Sequence, residues 1–191
     1  MLKPYTSIFM ESYLKDLWEA VKSLSSVLKD NNITYVYIGG VARNQYGYNR
    51  MTEDIDILVD KADKDKMSKL PIGRIRELSK GSLRRFKLHN PATPIDVLYT
   101  GDHAGNKDGI EYKDFMKDSK LIKGELFLSL EGLIKYKLSS GIYGHLRFKD
   151  FDDIVVLIER NKLPQDYANK FRKDLTEKYK ELWGLVNNGS N

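Results

Sequence analysis

Residues Asp54 to Val59 read DIDILV, an alternation that sets Ile55, Ile57 and Val59 on one face of a β-strand and Asp54, Asp56 and Leu58 on the other. A segment this apolar belongs inside a sheet, yet it carries two carboxylates at i and i+2 on the same face. Like charges so placed repel each other, so the fold must bring something cationic between them. Oxygen ligands of this kind suit a hard ion such as Mg²⁺, which one or two carboxylates hold together with substrate phosphates. Asp96, inside Ile95 to Tyr99 (IDVLY), supplies a third carboxylate from a different strand, with Ile95 and Val97 pointing the opposite way. Three carboxylates could hold two ions. A lone Asp in an apolar strand is better read as a strand end facing water or a lysine; the grouping reverses those odds.

The surrounding pattern predicts the scaffold. Leu14, Leu17, Trp18, Val21, Leu24 and Leu28 recur at spacings of three and four and predict an amphipathic helix from Met10 to Asn31. Thr34 to Ile38 (TYVYI) reads as a short buried strand ending at Gly39-Gly40, with a short helix over Val41 to Tyr46. Asp60 to Lys69 reads as a solvated loop or helix. Leu83 to Leu88 and Ile95 to Tyr99 read as a hairpin turning through His89 to Pro94, and Thr100 to Gly109 as a polar loop near the mouth of a site. From about Leu126 the pattern becomes helical: Leu130 to Ser139, Arg147 to Arg160 with Phe151, Ile154, Val155 and Ile158 on one stripe, and Pro164 to Trp183. The expected organisation is a core with its N-terminal helix over residues 1–128 and a helical region over 129–191.

Composition narrows the chemistry. The 191 residues contain no cysteine, which excludes disulfides, a thiolate nucleophile and thiolate-bound zinc. A net charge of +5 mildly favours a phosphate-bearing ligand. No apolar run approaches the roughly 20 residues of a membrane span, and charges interrupt the N-terminus too early for a secretory signal, so a cytoplasmic protein with no membrane partner is expected. No G-x-x-x-x-G-K-[ST] loop occurs, and His89, His103 and His145 lack metal-ligand spacing and read as surface or loop positions.

A strand that ends in Gly39-Gly40 and opens into a helix exposes backbone N–H groups suited to phosphate oxygens. A lone Gly-Gly is usually only a turn. Followed by Arg50, Thr52, Asp54 and Asp56, the run IGGVARNQYGYNRMTEDIDILVD resembles the signature of the DNA polymerase β-like nucleotidyltransferase superfamily. Its Arg-x-Thr-x-Asp-Ile-Asp form is similar to the branch containing abortive-infection toxins of the AbiEii type and minimal nucleotidyltransferases. Gly40 stands where many members carry Ser. The resemblance covers residues 33–100 and implies an α+β fold, an α/β-type core with a mixed sheet followed by C-terminal helices. It also implies that Asp54 and Asp56 bind the metal and that Asp96 is the third catalytic and metal-binding carboxylate.

Further along, KYKLSSGIYGHLRFKDFDDIVVLIE resembles the helical region that lines the nucleotide cleft in the same branch. Carried over residue by residue, this nominates Lys137, Arg147, Lys149, Asp150 and Asp153 beside Gly39, Gly40, Arg50 and Thr52 as nucleotide-binding. An exposed acidic helix start, favoured by the helix dipole, accounts for Asp150 almost as well. The implied reaction moves an NMP from an NTP such as ATP to an acceptor hydroxyl, with Mg²⁺ or Mn²⁺ as cofactor. The resemblance tilts the acceptor toward RNA, particularly the 3′ end of tRNA, and toward a toxin with a separate antitoxin partner. A protein side chain or an antibiotic stays open as acceptor. A catalytically idle nucleic-acid or protein-binding module of the same fold is the alternative from another class.

Overall fold

The stripe that begins at Leu14 becomes α1 (Pro4–Asp30), and Val21, Leu24 and Leu28 bury completely against the sheet. The structure, a computed structural model, describes residues 4–70, 76–77, 84–88, 92–113 and 117–188. After α1 come β1 (Tyr35–Tyr37), α2 (Gly39–Asn44), β2 (Ile55–Val59), a 3₁₀ turn over Lys61–Asp63, and α3 (Lys64–Ser68). Then follow β3 (Arg76–Glu77), β4 (Arg84–Lys87), β5 (Pro94–Tyr99), β6 (His103–Ala104), β7 (Ile110–Glu111), β8 (Ser119–Ile122) and β9 (Glu125–Leu128). The chain ends in α4 (Leu130–Tyr143), α5 (Phe148–Asn161), a 3₁₀ segment Gln165–Lys170 and α6 (Lys173–Asn188). The expected strand start at Leu83, the turn residues 89–91 with His89, and the tail 189–191 lie outside the described residues.

Among the described residues, seven strands form one mixed sheet in the order β3-β4-β5-β2-β1-β9-β8. β2 runs antiparallel to β1 and parallel to β5, and β1 runs parallel to β9. Helices cover both faces, as a largely apolar sheet requires. On the face carrying Tyr37, Ile57 and Phe127 lies α1: the Tyr37 hydroxyl donates to the Val21 carbonyl at 2.8 Å, and Trp18 stacks on Phe127. The opposite face carries Asp56, Asp96 and Leu98, and is covered by α4 through Leu133 and Tyr136.

Two local expectations are corrected. The segment around Leu126 is not yet helical: Glu125–Leu128 is β9, paired with β8 through a two-residue turn in which Lys123 and Gly124 both have positive φ. That is the turn whose twist matches a hairpin. In so short an apolar run, strand and helix periods cannot be told apart, and docking beside β1 decides it. The helix starts only where the Ser129 side chain caps it by accepting from the Gly132 N–H. Within Thr100 to Gly109, β6 pairs with β7, and Ser139 of α4 fixes the pair by accepting from the Ile110 N–H and donating to the Ala104 carbonyl.

Candidate active site

Parallel pairing of β2 with β5 sets Asp56 directly beside Asp96, and antiparallel pairing of β5 with β4 sets Asp96 directly beside Arg85. These three side chains form a row across adjacent strands, with Asp54 at the entrance to β2. The ligating oxygens of Asp54, Asp56 and Asp96 all lie within 4.8 Å of one another. Burial pushes the Asp56 carboxyl up to about 6; the charges of Asp54 and Asp96 act in the same direction, opposed by Lys137 and by the Gly40 N–H. The cluster has drawn in a cation of the chain's own. Arg85 grips Asp96 with two bonds, Nε to Oδ1 and Nη2 to Oδ2, each 2.6 Å, and reaches Asp54 at 3.2 Å. An all-oxygen donor set with one guanidinium already seated on it fits a hard divalent ion.

The glycine turn is shaped around these carboxylates. Gly39 has φ +56°, and a Cβ there would stand 1.9 Å from Asp56 Oδ2. At Gly40 a Cβ would meet the Thr52 hydroxyl at 2.5 Å, so glycine in place of Ser is what this packing takes. The Gly40 N–H acts on the Asp56 carboxylate in favour of its charged form. Thr52 Oγ1 in turn donates to Asp54, and its backbone is clasped by the Tyr13 hydroxyl of α1. Gly39→Ala should cost about 1–3 kcal/mol in urea unfolding, from left-handed strain plus displacement of Asp56. Gly47→Ala makes the control: φ is +83° but nothing lies within 4 Å of the added methyl. It should cost only about 1 kcal/mol. Equal losses at the two glycines would mean that Gly39 is not held against Asp56.

Two adjoining cavities, of about 90 and about 300 Å³, flank Asp56 and share Leu98, Tyr112, Ser140 and Arg147. The smaller reaches Gly39 and Lys137, the larger Asp96, His103 and His145. Lys137 is buried and makes 2.7 Å ion pairs with both Asp150 and Asp153. Arg147, half exposed, donates to Asp150 at 3.0 Å and to Ser140. For Asp150 burial alone would raise the pKa, but Lys137 and Arg147 outweigh it and hold the carboxyl below its ordinary value. Asp150 is therefore no exposed helix start: it is 2% exposed. Asp153 is 1% exposed and also pairs with Arg43 at 3.3 Å and Arg50 at 3.1 Å. These two aspartates thus meet cations of the chain itself, while Lys149 is exposed in the first turn of α5 and lines neither cavity.

Two residues escaped the sequence reading. Arg43 of α2, 2% exposed, donates to Asp153, to the Arg50 carbonyl at 2.7 Å and to Asn44. One signal for it was available. Asp150 and Asp153 share a helix face with Ile154 and Leu157, and acids on a buried stripe require buried cations. Arg85 had no comparable signal, because its place opposite Asp96 depends on hairpin register.

No family model and no curated protein matches the chain. Among solved structures it is similar to an antigenic nucleotidyltransferase-like protein from Paracoccidioides brasiliensis, 19% identical, with a TM-score of 0.59 over 88% of this chain and 87% of that one. It is also similar to a candidate nucleotidyltransferase from Thermotoga maritima, 17% identical, with a TM-score of 0.50 over 67% of this chain and 86% of that one. At these identities the likeness shows the fold, the α/β arrangement of nucleotidyltransferase-like proteins with its C-terminal helices. Among the described residues no helix is long and apolar enough to cross a membrane.

Proposed function

We propose that the protein is a metal-dependent nucleotidyltransferase, moving an NMP from an NTP to an acceptor hydroxyl with release of pyrophosphate. The observation that carries this reading is the gathering of Asp54, Asp56 and Asp96 within 4.8 Å, from two strands, beside a glycine turn too tight for any side chain. Asp54 and Asp56, with Asp96, would hold Mg²⁺ or Mn²⁺. When bound, the metal supplies Lewis-acid stabilisation of charge on the phosphates. Asp56 lines both cavities and Asp96 the larger one alone, so Asp96 would take the acceptor's proton from that side. Gly39 keeps the floor of the smaller cavity clear of side chains. Lys137 contributes fixed positive charge there, and Asp150 and Asp153 hold its ammonium in place, which spares reorganisation when charge develops. Arg147, half exposed on the wall common to both cavities, is the side chain best placed to turn toward a phosphate.

For the acceptor we favour RNA. Beyond the two aspartates and Tyr112, the ionisable side chains of the larger cavity are His103, His145 and Arg147, a lining that suits phosphate better than a polycationic antibiotic. A toxin role with an antitoxin partner rests on the resemblance of the motif residues alone. The idle-module alternative has gained one argument, since Arg85 relieves part of the carboxylate repulsion. One guanidinium against three carboxylates still leaves most of it. Purified protein given labelled NTPs, Mg²⁺ or Mn²⁺ and total RNA should label RNA and release pyrophosphate. Label appearing instead on protein or an aminoglycoside would replace the acceptor, and no transfer to any of the three would sink the enzymatic reading.

A further inference from the structure

We propose that Arg85 is the resident counter-cation of the carboxylate cluster, and that a divalent ion loads the site by displacing its guanidinium from Asp96. The inference rests on the reading that the cluster binds metal. Strand register puts Arg85 where it is: Asp56, Asp96 and Arg85 are successive cross-strand neighbours on β2, β5 and β4. Its two 2.6 Å bonds engage both oxygens of Asp96, and its third contact, at 3.2 Å, takes an oxygen of Asp54. A planar fork clamped on both oxygens of a carboxylate is a strong and directional pairing. A divalent ion sharing those oxygens would stand within a few ångströms of a fixed positive charge, so both cannot occupy the cluster comfortably. The exchange is feasible because the Arg85 side chain is 42% exposed, whereas that of Asp96 is 8% exposed. The arginine can swing into water while the aspartate stays.

Two consequences follow. Without metal, Arg85 occupies both oxygens of Asp96, so the unloaded site is blocked by its own chain. With metal, the strength of the clamp is subtracted from the intrinsic affinity of the carboxylates, which makes loading depend on metal supply.

The test is binding of Mn²⁺ alone, followed by loss of the free-ion EPR signal, with Asp54→Asn as the control for site identity. Arg85→Gln should bind Mn²⁺ on the order of tenfold more tightly than wild type, the strength expected of a partly exposed bidentate pair plus a second contact. Arg85→Lys should gain less, because it keeps the charge and loses the fork. Equal or weaker binding by Arg85→Gln overturns the inference and leaves the metal site standing. No site-specific Mn²⁺ binding by either protein overturns both. Should the variants fail to fold, the wild-type protein decides: the Arg85 Nε–H resonance should move and exchange faster with water as Mg²⁺ is added. A resonance unmoved at saturating Mg²⁺ overturns the displacement.

Discussion

Asp56→Asn should lower nucleotidyl transfer on the order of 10³-fold or more, the scale on which metal and preorganised charge act at a reacting phosphate. The folded protein should stay at least as stable as wild type without metal. None of the three Arg85 hydrogen bonds, two to Asp96 and one to Asp54, goes to Asp56. Asparagine removes a charge that Asp54 and Asp96 both oppose, keeps the shape against Gly39, and still offers an oxygen to the Gly40 N–H. Urea unfolding and single-turnover transfer, measured on the same preparation, check the two halves separately. A variant that unfolds at lower urea than wild type, or that keeps its activity, would show Asp56 to be a structural carboxylate.

Asp153→Ala carries the opposite signature, a loss of about 3–5 kcal/mol of stability, the usual result of stripping the partner from a buried ion. The cost falls on Arg43. Arg50 is 43% exposed and can turn to water, and Lys137 keeps Asp150 at 2.7 Å. Arg43 is 2% exposed and, among the described residues, keeps neutral acceptors, the Arg50 and Tyr48 carbonyls and Asn44. Because Asp153 joins α5 to α2, its loss also loosens the helix from the glycine turn, so activity should fall along with stability. A double change, Arg43→Met with Asp153→Leu, removes both charges and should recover much of the stability, since apolar replacement of a buried pair is often tolerated. A cost below about 1 kcal/mol for Asp153→Ala, as for an exposed ion pair, would show that water reaches Arg43.

Local spacing by itself determined a good deal of this protein. Period-two alternation assigned Asp54 and Asp56 to one face of β2, and the three-four spacing of Leu14 through Leu28 set the buried stripe of α1. Both are properties of the backbone repeat and need no partner. Gly39-Gly40 marked a tight turn, and the structure adds its cause, a carboxylate 1.9 Å from where a Cβ would stand. The resemblance carried by IGGVARNQYGYNRMTEDIDILVD pointed to the fold that the solved structures then showed.

Everything that required knowing which strand lies next to which was decided by tertiary structure. That Asp96 stands beside Asp56, with Arg85 one strand further, follows from the pairing and register of β2, β5 and β4, and a slip of one residue would turn the side chains to the other face. Burial across the whole sheet selects that register; no local signal does. The same holds for β9, an apolar run that became a strand by docking on β1, and for Asp150 and Asp153, whose acidic helix start was settled only when α2 and α4 brought Arg43 and Lys137 against it. A charged side chain's meaning depends on the groups it meets, and those lie far away in the chain: spacing along a sequence encodes faces, and only the packed fold encodes partners.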